Sequence, residues 1–235
     1  MRQILQRLLR TRYDGTLSYS QCGEDLIADF LLTRILHVGQ PTYLDIGAHH
    51  PKTLSNTYRF YEHGCRGVVV EADPALIPPF RRYRPEDACL NVGISPNGQT
   101  SADFYIMSAP TLNTFCREEA QAHERTGAYR IERVIELPLM SIQTLLETHC
   151  PTTPNFVSLD VEGWDLPILQ SFDFERHRPQ VMCVETLGGT EPATERKDTD
   201  TIDFMIGRGY RVYADTHVNT IFVEKQAWED RSSST

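Results

Sequence analysis

Between Ser20 and Glu224, short apolar runs of strand length alternate with segments of helical spacing, and few architectures accept that order. SQCGEDLIADFLLTRIL is helical by spacing, TYLDIGA extended, SNTYRFYEHG helical up to Gly64, and GVVVEA extended again. A short helix around PALIPPFRRYR, a strand at ACLNVGIS and, after the turn PNG, a strand at SADFYIM continue the pattern. Beyond the polar run TFCREEAQAHERTGAYR, RVIELPLM reads as extended and SIQTLLETH as helical with Ser141 as its N-cap. FVSLDVEG, QVMCVET, YRVYA and TIFVEK then read as strands, with DLPILQSF and TIDFMIGRG as helices. This order predicts an α/β domain with a mostly parallel sheet, covered on both faces and joined by right-handed crossovers. Ligands bind such sheets at the carboxyl ends of the strands, so the residues just after each strand should carry the function.

Those residues are polar in an ordered way. Asp45, Gly47 and Ala48 follow the first strand, and Glu71 ends the second, 26 residues beyond Asp45. An acid there can accept hydrogen bonds from both hydroxyls of a ribose, while the glycine turn lets backbone approach a ligand closely. No G-x-G-x-x-G can be written through Gly47, so a phosphate-free adenosine cofactor, S-adenosylmethionine, fits better than a dinucleotide. A later strand delivers Asp160 and Glu162 in DVEGW, and another delivers Glu185. With neighbouring strands, these acids would converge with His49 or His50 on the acceptor side. Two chemistries suit the cluster: a histidine or carboxylate base, or a divalent cation such as Mg2+ held by Asp160, Glu162, Glu185 and His50. Each residue also has a plainer use. Asp160 and Glu162 could cap the next helix, Glu185 could pair with Arg59 or Arg66, and one histidine could only orient the turn.

Composition narrows the partners. A net charge of −9 leaves no basic field for a phosphate backbone, so nucleic acid is not expected and a small-molecule or glycan acceptor is. Six scattered cysteines without a CxxC pair fit reduced thiols and a cytoplasmic setting. No apolar stretch has the length of a spanning helix. Residues 1–19 form an N-terminal extension in which Ile4, Leu5, Leu8 and Leu9 share a helical face among arginines. Packing on the domain is expected for it, with a membrane-surface helix as the alternative. The domain itself spans 20–225, and 226–235 reads as a flexible tail.

In order along the chain, SQCGEDLIADFLL, YLDIGAHHPKTLSNTYRFYEHGCRGVVVEADP, LNVGIS, TLNTF, FVSLDVEGWDLPIL and NTIFV resemble the FkbM family of S-adenosylmethionine-dependent methyltransferases. The resemblance runs from about Ser20 to Val223, with HHP as a variant of the first motif. It implies a single Rossmann-like class I methyltransferase domain, a seven-stranded mostly parallel sheet with the last strand antiparallel, and methyl transfer to a sugar or natural-product hydroxyl. Residue by residue, it implies that the methionine part of the cofactor lies along Asp45, Gly47 and Ala48 and the ribose on Glu71. The adenine would lie near Ala72, Asp73, Asn91 and Val92, with Gln21 of SQCGED folding over the site. Thr111, Asn113 and Thr114 would form an acceptor-side loop and Asn219 a polar residue at the mouth. His50, His49, Asp160 and Glu162 are the catalytic candidates. A cofactor-binding scaffold without catalysis is the competing class, and it requires a blocked acceptor side.

Overall fold

The computed structural model describes residues 15–188 and 196–231. Most of the N-terminal extension, including the apolar face at residues 4–9, lies outside them, as do residues 189–195 of the polar loop and 232–235 of the tail. Seven strands form the main sheet: β1 (Tyr43–Ile46), β2 (Gly67–Val70), β3 (Ala88–Leu90), β7 (Phe156–Leu159), β8 (Val181–Glu185), β11 (Tyr210–Asp215) and β12 (Asn219–Glu224). Their order is β3-β2-β1-β7-β8-β12-β11. The first five run parallel, and β12, last in sequence, inserts antiparallel to both β8 and β11. This is the α/β fold with an antiparallel last strand that the sequence led us to expect.

Period-two alternation buries both faces. Leu44, Ile46, Val68, Val70, Val157, Leu159, Met182 and Val184 point into one core with helices α5 (Ile142–His149) and α6 (Asp165–Ser171). Tyr43, Val69, Phe156, Val181 and Cys183 point into the other, against α1 (Glu24–Phe30), its π-helical continuation Leu31–Ile35, α2 (Tyr58–Glu62) and α3 (Ile77–Tyr83). Asp45 and Ser158 share that second face as buried polar residues, 3% and 2% exposed, and Glu185 and Asn219 lie on it too. Position within a strand already marks them as something other than core.

Three differences from the sequence reading have physical causes. ACLNVGIS is not one strand. It breaks at Asn91, whose Nδ2 donates to the Glu71 and Ala72 carbonyls at 2.8 Å each, and resumes as β4 (Gly93–Ser95). β4 belongs to a second sheet with β5 (Ser101–Met107) and β6 (Ile131–Ser141), in the order β4-β6-β5. The polar run after TLNTF holds helix α4 (Arg117–Arg125), on which only Ala120 and His123 are buried. Its sparse apolar content hid the period. The tail begins as helix α8 (Lys225–Asp230), started by Glu224 accepting from the Ala227 N–H at 2.6 Å and held by Trp228 against Arg211 and Arg231. The Ser141 cap is present, its hydroxyl accepting from the Thr144 N–H at 3.0 Å. Leu187–Gly188 (β9) and Arg196–Lys197 (β10) pair antiparallel, and Thr199–Gly207 form α7. Among the described residues no helix is long and apolar enough to cross a membrane.

Candidate active site

A cavity of about 490 Å³ opens at the carboxyl ends of β1, β2, β7 and β8, within the size range of ordinary small-molecule sites. Gly47 sets its floor. Its φ is 80°, and both its N–H and that of Ala48 donate to the Val70 carbonyl, at 3.0 and 3.1 Å. Across the turn the Asp160 N–H donates to the Ile46 carbonyl at 3.0 Å, so the β1 and β7 exits are tied together beneath the cavity. Asp45 lines the wall and accepts from Thr57 Oγ1 at 2.5 Å. Thr57 in turn accepts from the fully buried Arg84 guanidinium at 3.0 Å. Burial pushes the Asp45 carboxyl up, and Arg84 opposes it.

Glu71 is 6% exposed and holds two backbone donors, His49 N–H at 2.7 Å and Asp73 N–H at 2.6 Å, one on each oxygen. Burial pushes it up to about 8 against those two hydrogen bonds. Each carboxylate oxygen keeps a lone pair for a ligand hydroxyl. Beyond it lies an apolar slot of Ala72, Val92, Ile94, Phe104, Phe115 and Trp164. Phe115 packs on Phe104 with centroids 4.7 Å apart and stacks on Trp164 at 5.3 Å. A flat, aromatic-walled slot next to a carboxylate suits an adenosine.

Opposite stand Asp160, Glu162 and Glu185, each offering an oxygen within 4.8 Å of the others. Glu162 sits at φ 51° and Gly163 at φ 94°. A left-handed non-glycine residue is costly and is held here because Thr114 Oγ1 donates to the Glu162 carbonyl at 2.7 Å. Burial first, then mutual repulsion, raises these groups: Glu162 and Glu185 well above the ordinary range. Asp160 rises to about 6, burial outweighing the hydrogen bond to Glu185 that favours its ionised form. Neighbouring Asp165 is pushed up to about 8 by burial and by Asp160. Such a cluster shares protons or takes a cation. Neither plainer use holds: Arg59 is paired with Asp29 and Arg66 with Glu86, while the Val161 N–H at the head of α6 is accepted by Asp165.

The histidines separate. His49 lines the cavity at φ 50°. His50 does not line it and, contrary to the sequence reading, stands outside the carboxylate cluster; its Nδ1 accepts from the Lys52 and Thr53 N–H groups at 3.2 and 3.0 Å. It is spent on the loop. Burial lowers both imidazoles, His49 also through His50 and His50 through Lys52.

Other expected contacts are likewise brought in or moved back. Gln21, Thr111 and Asn113 line the cavity. Asn113 also clips β5 to Asp73, accepting from the Met107 N–H at 2.8 Å and donating to Asp73 at 3.1 Å. Asn91 braces the Glu71–Ala72 backbone from behind the slot and Asp73 donates its N–H to the Glu71 carboxylate; neither lines the cavity. Thr114 is buried against Glu162 instead of lining an acceptor loop. Asn219 is 3% exposed and not at the mouth; it donates to the buried Glu24 at 3.1 Å, which also accepts from Thr216 at 2.6 Å. That tie, with Ser20 accepting from the Gly23 N–H at 3.1 Å, fixes the SQCGED segment carrying Gln21. Sequence reading missed Asn56, whose amide donates to Ser158 at 3.1 Å inside the cavity, and the Phe104–Phe115 wall. Ser158 could have been found as the polar residue in an otherwise apolar strand.

The model of the methyltransferase FkbM domain matches residues 45–212. No curated protein matches the chain in sequence. Among solved structures, a TehB-like SAM-dependent methyltransferase from Corynebacterium glutamicum is similar over 95% of this chain and 97% of its own, at 12% identity and a TM-score of 0.44. A precorrin-6y C5,15-methyltransferase from Geobacter metallireducens is similar over 91% and 95%, at 11% identity and a TM-score of 0.46.

Proposed function

We propose that this chain, which belongs to the FkbM family of methyltransferases, methylates a hydroxyl oxygen of a small-molecule or glycan acceptor. Its class, a methyltransferase dependent on S-adenosylmethionine, follows from the family. The oxygen specificity is our reading, and the observation that carries it is the Asp160, Glu162 and Glu185 cluster facing the cavity across from Glu71 and the aromatic slot. A hydroxyl is a poor nucleophile until its proton is taken, and a carboxylate cluster is apt for that task.

In this reading the cofactor would lie in the cavity as the family implies, with Glu71 at the ribose, Ala72 and Val92 at the adenine, Asp45, Gly47 and Ala48 at the methionine part and Gln21 over it; all of them line the cavity. When bound, S-adenosylmethionine supplies an electrophilic methyl group on a sulfonium. Asp160, with a carboxyl near 6, is ionised at neutral pH and held by the hydrogen bond with Glu185. With the cofactor supplying the methyl group, Asp160 would take the proton of the acceptor hydroxyl. Glu162, fixed by Thr114, borders the path. A scaffold without catalysis would need a closed acceptor side, and the open acid-lined cavity speaks against it. Six free cysteines support a cytoplasmic setting.

A second reading shares the site. Three carboxylate oxygens within 4.8 Å form the hard donor set that Mg2+ and similar cations prefer. Asp160, Glu162 and Glu185 would hold the ion, which would orient the acceptor and lower its pKa. Full activity of metal-free protein in excess chelator leaves the carboxylate base. Loss of activity, restored by added Mg2+, favours the ion.

Calorimetry tests the cofactor assignment. Folded protein should bind S-adenosylmethionine, and Glu71→Ala should weaken binding by roughly tenfold or more, as expected when a buried acceptor for two hydroxyls is lost. Unchanged binding in that variant would overturn the ribose assignment.

A further inference from the structure

Behind Asp45 lies a buried charged group to which the reaction proposed above gives no role. Arg84, just past the end of α3, is fully buried, its guanidinium set among the rings of Tyr43, Tyr61 and Phe80 at 5.3, 5.6 and 5.5 Å. Its Nε donates to Asp87 at 2.7 Å, and Asp87 also accepts from the Tyr43 hydroxyl at 2.7 Å and the Gly67 N–H at 3.0 Å. The guanidinium is thereby fixed to the starts of β1 and β2. A second arm donates to Thr57 Oγ1 at 3.0 Å. A guanidinium has no acceptor, so Thr57 must accept from it, and the single hydroxyl proton of Thr57 goes to Asp45 Oδ2 at 2.5 Å. The arrangement repeats on the other side. Asn56 Nδ2 donates to Ser158 Oγ at 3.1 Å, which leaves the Ser158 proton for Asp45, its direct partner in the β1–β7 register.

Charge is not balanced within this group. Two carboxylates, Asp45 at 3% exposure and Asp87 with its side chain out of solvent, share one guanidinium. Arg84 touches Asp87 directly and reaches Asp45 only through Thr57. An unpaired carboxylate shielded from water is costly, so Asp45 either holds a proton or meets a cation from the cavity it lines. We propose that Thr57 and Arg84 are positioning residues that hold the Asp45 carboxylate for the α-ammonium of the cofactor's methionine part, which completes the pairing. The proposal rests on the reading that the methionine part lies along Asp45. Two hydroxyls fix the carboxylate through their protons while neither supplies a charge, so the site favours a ligand cation and sets its direction of approach.

Calorimetry on the full chain at neutral pH tests this with two probes: S-adenosylhomocysteine, which carries the amino-acid part, and methylthioadenosine, which lacks it. Thr57→Val removes the hydroxyl and keeps the outline of the side chain. It should weaken S-adenosylhomocysteine by roughly tenfold and methylthioadenosine by less than about twofold, while Thr57→Ser binds both like the parent. Where valine is not tolerated in the fold, Thr57→Ala should give the same selective loss. Arg84→Lys, whose single ammonium cannot serve Asp87 and Thr57 in the fork geometry of a guanidinium, should give it too. A fold that is merely loosened weakens both probes alike, and that result in the Thr57 variants overturns the proposal. So does parent-like binding by them while Asp45→Asn loses S-adenosylhomocysteine selectively, an outcome that leaves the methionine reading standing. Parent-like affinity in folded Arg84→Lys removes Arg84 from the assignment. If Asp45→Asn itself binds both probes like the parent, the methionine part lies elsewhere and the proposal falls with that reading.

Discussion

A side-chain carbon at Gly47 would lie 1.7 Å from the Asp160 carbonyl oxygen. The glycine turn after β1 and the DVEG turn after β7 therefore share one tight backbone crossing. The two halves of the site cannot shift independently.

That crossing makes Gly47→Ala a severe change. The residue stands at φ 80°, which costs an L-residue roughly 1–2 kcal/mol before any clash is counted. Relieving the overlap then requires the β1 and β7 exits to part. We expect a Tm several degrees lower and loss of S-adenosylmethionine binding, checked by thermal unfolding and calorimetry. Gly64→Ala, also at positive φ but with open space around it, should keep cofactor binding.

The carboxylate base predicts a pH profile. Asp160 must be ionised to take a proton, and its carboxyl is raised to about 6 by burial. Activity measured as kcat/KM should therefore rise as pH increases through about 6. Asp160→Asn should lose roughly 10²–10⁴-fold in kcat, together with that acidic limb. An unaltered limb in the variant would assign it to another group.

Asp165 predicts a stability effect of its own. Its carboxyl rises from 3.8 to about 8 in the fold, so the folded chain holds a proton that the unfolded chain releases. That contribution is present in full below the ordinary carboxylate range and is lost as pH climbs towards 8. Asp165→Asn keeps an oxygen for the Val161 N–H and cannot ionise. It should match the parent below about pH 4 and exceed it by on the order of a few kcal/mol near pH 9, read from denaturant unfolding at both pH values.

Much of the frame was legible because it follows from period and punctuation. Val68, Val69 and Val70 read as a buried strand from composition alone, and Glu71 at its end lines the cavity as the same register led us to expect. The acids of DVEG and Glu185 converge as expected because β7 and β8 are neighbours in the sheet. What stayed hidden depends on side-chain direction and on packing between sheets. Nothing in TLNTF says that Thr114 turns inward to the Glu162 carbonyl while Thr111 turns to the cavity. Asn219 is a polar residue in a β-strand whose partner, Glu24, is distant in sequence, so only the folded chain shows that it braces the SQCGED segment. Helix α4 escaped because its solvated charges outnumber its two buried residues.

The histidine pair gives the clearest division of labour to test. His50 accepts two backbone N–H groups through Nδ1, which makes it a cap for the HHPKT loop in the way that a side chain caps a helix end. His50→Ala should cost about 1 kcal/mol of stability, the worth of a lost capping acceptor. Its kcat should change far less than the roughly 10²–10⁴-fold expected of a lost general base. His49 contributes mainly through its backbone: the N–H on Glu71 and a left-handed φ of 50°. His49→Asn tolerates that conformation and keeps the N–H, so cofactor affinity should survive. His49→Val, whose branched side chain resists positive φ, should weaken cofactor binding through Glu71. If His49→Asn loses turnover while still binding S-adenosylmethionine, the imidazole itself acts on the acceptor, and Asp160 loses its place as the base.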